Sequence, residues 1–278
     1  MAMGDDQTIK QMKLYTQMER IERALSARGL SDGPLQAAQL HDLDQLHYGG
    51  TDAVDHAIEA LELTGDDTVL DVGAGLGGPA RYLAKRLGAR VHAVELQPDL
   101  NQLAQSLTKR CRLDGCVEHR CGDVLALPLT ADHHDAVVSW LTVLHIPHRA
   151  ELFARLHATL KPAGQLYLED FYARQPLDEA TQKTLANEVF CPHLPDRSRY
   201  VMDLSEAGFE NVVFEDMSTA WTEFVAQRLA AFEDQKAAFI AEQDQATFDA
   251  LHHFYTVMVG LFKGGQLGGV RIQAAAAR

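Results

Sequence analysis

Three carboxylates in the first half of this 278-residue chain have the spacing that chemistry on a nucleoside would need. Asp71 lies in Val69-Leu70-Asp71-Val72-Gly73-Ala74-Gly75-Leu76-Gly77-Gly78, an apolar run that gives way to glycines. An acid two residues before the first glycine can hold a ligand's ammonium. The glycines allow a sharp turn and a close approach of backbone to ligand that a Cβ would block. Glu95 closes a second apolar run and can accept from both hydroxyls of a ribose. Asp123, in Gly122-Asp123-Val124, can accept from an adenine amino group. Taken alone, Gly73, Gly75 and Gly78 also satisfy the G-x-G-x-x-G of dinucleotide-binding loops. No second mononucleotide-binding half with its own catalytic residues follows them, which disfavours a dehydrogenase.

These residues need a scaffold, and hydrophobic periodicity supplies one. An amphipathic helix is expected over residues 7–29, broken by Ser31-Asp32-Gly33-Pro34. After the turn His47-Tyr48-Gly49-Gly50, Thr51 or Asp52 can cap a helix over 53–63. Strands are then expected at 68–72, 90–95, 117–119, 135–140 and 165–170, with helices at 78–87, 98–112 and 148–160, the last stopped by Lys161-Pro162-Ala163-Gly164. Strands alternating with helices of 10–15 residues indicate a parallel, doubly wound α/β sheet whose strand C-termini share the ligand-binding rim. Beyond it the pattern predicts an irregular, partly helical insertion at 171–198, a helix at 200–207, a strand at 209–216, a helical stretch at 220–262 and a last strand at 270–274.

The three acids at successive strand ends resemble the pattern of class I S-adenosylmethionine-dependent methyltransferases over roughly residues 45–218. That resemblance implies a Rossmann-like, seven-stranded, mostly parallel sheet with its last strand antiparallel, and S-adenosyl-L-methionine as cofactor. It places the cofactor against Asp71, Gly73, Ala74, Gly75, Gly77, Gly78, Glu95, Leu96, Gly122, Asp123, Val124 and Trp140. The segment Gly77-Gly78-Pro79-Ala80-Arg81 is similar to one in small-molecule enzymes acting on sarcosine and dimethylglycine, phosphoethanolamine, tocopherol and sterols. Asp44 through Gly50 and Val143-Leu144-His145-Ile146-Pro147 resemble segments of the same group, and Leu261 through Gly269 resembles the tail of glycine-betaine-type enzymes. In phosphoethanolamine enzymes a histidine of this kind pairs with an N-terminal tyrosine. His145 is accordingly the candidate base, with Tyr48 the better match for its partner and Tyr15 the weaker. A backbone hydrogen bond that merely anchors its loop is the alternative for His145. Substrate contacts are expected among Tyr15, Tyr172, Tyr200, Trp221 and Tyr255, aromatic faces that suit a methylated ammonium, and at Arg199 and Arg271, which could hold a carboxylate or phosphate. Trp140, Phe171 and Phe254 fall in the same lid-forming stretches, where core packing is the competing role.

Composition narrows the partners. Against 39 acidic residues stand 25 basic ones, a formal charge of −14 that disfavours nucleic acid and anionic lipid and suits a small diffusible substrate. Cys111, Cys116 and Cys121 lie five apart, which is no metal spacing, and with Cys191 they are expected to be inert thiols; no metal is expected. No window is apolar enough to span a membrane, and a cytoplasmic monomer or homodimer is expected. The expected organisation is an N-terminal helical cap (1–50), a Rossmann-like core (51–218, with a substrate-side insertion at 171–200), a helical lid (219–265) and the core's final strand (266–278). N-methylation of a small amine is the leading expectation, C- or O-methylation of a lipophilic or phenolic molecule the second, and a non-catalytic cofactor-binding sensor the third.

Overall fold

The computed structural model describes residues 18–277. Tyr15 and the first part of the helix expected over 7–29 lie outside the described residues, and the described part, α1, runs Met18–Ala27. The remaining helices are α2 (His41–Asp44), α3 (Gly50–Ala60), α4 (Gly78–Leu87), α5 (Pro98–Arg110), α6 (Arg149–Thr159), α7 (Glu179–Glu188), α8 (Arg197–Glu206), α9 (Ser218–Asp234), α10 (Lys236–Glu242) and α11 (Gln245–Lys263). Strands β1 (Thr68–Val72), β2 (Arg90–Glu95), β3 (Val117–Cys121), β4 (His134–Trp140) and β5 (Leu160–Ala173) pair in parallel, and β6 (Phe209–Asp216) follows at the far edge. The last strand, β7 (Leu267–Ala276), runs antiparallel between β5 and β6, giving the order β3-β2-β1-β4-β5-β7-β6. None of the described helices is long and apolar enough to cross a membrane.

Period-two alternation sends the strand residues to two cores. Leu70, Val72 and Val137 pack with Leu152, Phe153 and Leu156 of α6 on one face, while Val69, Ala93 and Val138 pack with Val54, Ala57 and Leu83 on the other. Each such Val or Leu, buried on both sides, contributes roughly 1.5–3 kcal/mol relative to exposure. Asp71 belongs to the second face, so its carboxylate is carried into an apolar layer by the strand itself.

Several element bounds differ from the sequence expectation for identifiable reasons. Gly49, at φ 76°, starts α3 at Gly50 with no side-chain cap, so Thr51 and Asp52 lie inside the helix. The stretch 161–164 does not end a helix in a loop; it is an irregular opening of β5, where Leu160 pairs with His134 and the register shifts before Ala136 pairs with Gln165. The helical stretch between β6 and β7 is three helices, the last capped by Asp244, whose side chain accepts from the Thr247 amide. The insertion after β5 holds α7, capped by Asp178.

One buried ion pair fixes the segment before α3 against the glycine loop. The Arg81 guanidinium, 1% exposed, donates from Nη2 to Asp44 Oδ2 (2.8 Å) and to the Leu76 carbonyl (2.6 Å). Its Nη1 reaches Thr108 Oγ1 at 3.1 Å. A Cβ on Gly78 would stand 2.3 Å from the Asp44 carbonyl oxygen, so glycine there lets the two segments touch. Burial pushes the Asp44 carboxyl upward while Arg81 favours its charged form. Removing one partner of such a pair leaves the other charge buried. Arg81→Met is expected to cost about 3–5 kcal/mol in thermal or urea unfolding, and the double variant Arg81→Met/Asp44→Leu to recover most of it. Equal losses in the single and double variants would contradict the pair's role.

Candidate active site

The C-terminal ends of β1 to β5 open into one cavity of about 670 Å³. Asp71, Gly73, Ala74 and Gly75 line it from the β1 turn, Glu95 and Leu96 from the end of β2, Gly122, Asp123 and Val124 from beyond β3, and Trp140 from the end of β4. The structure therefore brings ten of the twelve residues expected at the cofactor to one surface. Gly77 and Gly78 are the exceptions, and their glycines serve packing. Gly77, at φ 74°, leaves room for His119 and Arg81, and Gly78 meets the backbone of Asp44.

Local geometry explains how the acids are presented. The amides of Gly73 and Ala74 both donate to the Val94 carbonyl, which ties the turn after β1 to the end of β2. A Cβ on Gly73 would collide with Thr142 at 2.1 Å, so the turn also depends on glycine at that position. Glu95 accepts from the Gly75 amide at Oε2 and from the Gln97 amide at Oε1, both at 2.8 Å. Each oxygen keeps a second lone pair, enough to accept from a diol. Asp123 accepts from the Leu125 amide at Oδ1 (2.8 Å), which holds it over the end of β3. Asp71 is different: it is 1% exposed, and its Oδ2 has no partner in the protein. Burial, reinforced by the neighbouring Glu95 charge, pushes its carboxyl up to about 7. An unpartnered buried carboxylate facing a cavity calls for a cation. The ammonium and sulfonium of S-adenosylmethionine would supply positive charge here, so the donor set fits that cofactor.

The same cavity is also lined by His145, His47 and Tyr48. His145 closes the turn after β4, and its Nδ1 lies 3.0 Å from the Phe190 carbonyl. A carbonyl only accepts, so Nδ1 carries the hydrogen and Nε2 keeps its lone pair. His47 is fixed likewise by the Gly50 carbonyl at 2.9 Å from Nε2, and it stacks on Trp140 at 5.4 Å. Burial lowers both rings to about 4, so both are neutral near pH 7. Burial raises the Tyr48 phenol, which stays protonated, and its ring is boxed by Phe171, Trp221, Phe224 and Phe262. Asp170 supports the His145 turn by accepting from the Leu144 amide (3.3 Å).

The other expected substrate residues point elsewhere. Tyr200 is fully buried and donates to Asp170 Oδ2 at 2.7 Å, so it props the turn from behind. Tyr172 packs edge-on against Phe214 in the core. Trp221 lies against Gly269, where a Cβ would meet it at 2.1 Å, and contributes a wall around Tyr48 without lining the cavity. Arg199 pairs with Asp203, one turn along α8. Arg271 is held by Glu169 (2.9 Å) and Glu215 (3.1 Å) across the sheet. Tyr255 lines only a small adjoining cavity, shared with Tyr48, Arg228 and Met258. Sequence reasoning missed His47, Thr142, Arg228 and Met258. His47 stood beside Tyr48 in a segment already singled out, whereas a lid-helix arginine carries no local signal.

Comparison with known proteins agrees with this geometry. Residues 69–164 match the family model described as a methyltransferase domain. Phosphoethanolamine N-methyltransferase 3 of Arabidopsis thaliana is 28% identical over 219 residues, covering 79% of this chain and 44% of the relative. The chain thus spans less than half the length of that plant protein. A structure of Haemonchus contortus phosphoethanolamine N-methyltransferase 2, in complex with phosphomonomethylethanolamine and S-adenosylhomocysteine, superposes with TM-score 0.84 at 18% identity, covering 100% of this chain and 61% of that one. Geranyl diphosphate C-methyltransferase from Streptomyces coelicolor A3(2) superposes with TM-score 0.64 at 18% identity, covering 82% and 78%.

The Asp71 environment sets an expectation for both ligand affinity and stability. A group whose folded value is raised favours folding below its unfolded value, and that contribution is lost as pH rises through about 7. Asp71→Asn is therefore expected to melt at or above the unsubstituted protein at pH 8 in the absence of ligand. The same variant is expected to bind S-adenosylhomocysteine about 10–100-fold more weakly by calorimetry, the loss of one charge-assisted hydrogen bond. Unchanged affinity would remove Asp71 from the ligand's ammonium. The domain match, the sheet order and the acid-lined cleft point one way: residues 69–164 carry a methyltransferase domain, and the chain has the Rossmann-like fold of the S-adenosylmethionine-dependent methyltransferases.

Proposed function

We propose that the chain methylates the amine nitrogen of a small substrate that also carries an anionic group, of the phosphoethanolamine or sarcosine/dimethylglycine kind. The observation that carries this reading is the continuity of the cavity. One cavity is lined both by three acids suited to a sulfonium nucleoside and by two neutral imidazoles, a phenol and a guanidinium. On this reading Asp71 takes the cofactor's ammonium, Glu95 its ribose hydroxyls and Asp123 its adenine amino group. When bound, S-adenosylmethionine supplies a methyl carbon made electrophilic by its sulfonium, and what remains for the protein is to align a nucleophile with it.

His145 orients the amine. An imidazole held near 4 is a poor resting place for a proton from an ammonium titrating near 10. Its part is then an acceptor for an N–H, leaving the nitrogen lone pair aimed at the methyl, and the proton leaves to solvent. This revises the general-base role expected from sequence. The Tyr48 hydroxyl, kept protonated, supplies a second polar contact from the aromatic box. Among the described residues lining the cavity, Arg228 is its one arginine or lysine, and it suits a carboxylate or phosphate. Tyr255 steadies it, accepting from Nη2 at 3.1 Å with its ring 4.5 Å from the guanidinium carbon.

The apolar lining by Phe171, Val189, Phe254 and Met258 favours a second reading, C- or O-methylation of a lipophilic or phenolic molecule. Thermal-shift screening with S-adenosylhomocysteine present separates the two. Phosphoethanolamine, sarcosine or dimethylglycine is expected to raise the melting temperature, and protection by phenolics or prenyl diphosphates alone would overturn the amine reading. With the responsive amine, Arg228→Gln is expected to raise KM at least about tenfold with little change in kcat. His145→Gln is expected to lower kcat about 100-fold. An unchanged kcat in the His145 variant would exclude its orienting role.

A further inference from the structure

At the opposite end of the sheet, His92, His133 and His134 converge, one ring nitrogen of each lying within 4.8 Å of the others. His92 sits near the start of β2, and His134 opens β4 directly after His133. None of the three lines the large cavity. Hydrogen bonds fix which nitrogens carry lone pairs. Thr159 donates its hydroxyl to the Thr130 carbonyl at 2.7 Å, so its oxygen must accept from His134 Nδ1 at 2.8 Å. His134 Nε2 is therefore an acceptor, aimed at His92 Nδ1 only 2.9 Å away. With its hydrogen on Nδ1, His92 keeps an unprotonated Nε2, and the exposed Glu118 carboxylate lies 3.8 Å from it, beyond direct hydrogen-bond reach.

We propose that His92 Nδ1, His134 Nε2 and one ring nitrogen of His133 bind a divalent transition-metal ion of the zinc type. The ion would take the place of the hydrogen between His92 and His134; that one ring hydrogen of His92 would shift to Nε2, on the side of the exposed Glu118 carboxylate. Thr159 already holds His134 in the orientation of a metal-bound imidazole, and a small approach of the exposed Glu118 side chain would do the same for His92. Two imidazole nitrogens on a tetrahedral zinc stand about 3.3 Å apart, so the 2.9 Å pair needs to open by only a few tenths of an ångström. Neutral imidazoles beside one outer carboxylate suit Zn(II), Co(II), Ni(II) or Cu(II), and not Mg(II) or Ca(II). Water would complete the coordination. Such an ion would tie β2 to β4 across the start of β1, far from the reacting end of the cavity.

The test uses the tag-free chain, stripped with chelator and dialysed, titrated with Zn(II) by calorimetry and with Co(II) by visible absorption. One equivalent of Zn(II) is expected to bind and raise the melting temperature, and Co(II) to give the intense bands of a low-coordinate site. His92→Gln and His133→Gln are each expected to weaken binding at least 100-fold, and Glu118→Gln about tenfold. Circular dichroism checks that the variants fold, and His133→Gln is the arm least coupled to the core. The double variant His252→Gln/His253→Gln, which removes two lid histidines paired with Glu233 and Glu188, is expected to leave binding unchanged. Absence of stoichiometric binding, affinity unchanged in both His92→Gln and His133→Gln, or binding lost in the lid double variant would each overturn the proposal.

Discussion

A carboxylate that the protein itself does not satisfy governs this molecule. Asp71 is carried by a strand into an apolar layer, is almost wholly buried, and leaves Oδ2 without a partner. Inside a protein that arrangement is unfavourable unless something positive arrives. Around this acid the chain has placed Glu95 and Asp123, both held by backbone amides. The three acids stand on a rim that parallel strands and right-handed crossovers create as a matter of topology. The cleft is preorganised for a cation because the backbone, not flexible side chains, sets its acids.

A second tier of contacts positions the lip of the cleft. The Arg81–Asp44 pair fastens the segment bearing His47 and Tyr48 to the glycine loop, and Asp44 itself reaches the cavity wall. On the far side, Tyr200 and Asp170 hold the turn that ends in His145. Helices α9 and α11 add Arg228, Phe254 and Met258 to the same cavity. The segment before α3 and the turn after β4 are thus braced by separate buried polar contacts.

Much of this is legible in the sequence. Strand ends followed by glycines or acids located Asp71, Glu95 and Asp123, since period and turn chemistry are local properties. The opening of β5 was not, because Lys161-Pro162-Ala163-Gly164 has loop composition and only pairing with β4 and β7 makes the strand long. Arg271 and Tyr200 were expected at the substrate by residue type, yet both are consumed by buried partners, Glu169 and Asp170, that no local pattern announces. Arg228 shows the converse, since its place in the cavity depends on where α9 packs. His92, His133 and His134 likewise meet only through strand register.

In the proposed function, a cation from the cofactor discharges the buried Asp71. The direct measurement is the proton balance of S-adenosylhomocysteine binding, taken by calorimetry at pH 6.5–7 in buffers of different ionisation enthalpy. With the free carboxyl near 7, ligand binding must drive ionisation, and net release of protons that disappears in Asp71→Asn is the predicted result. Binding with no proton release, or release that persists without Asp71, would contradict it.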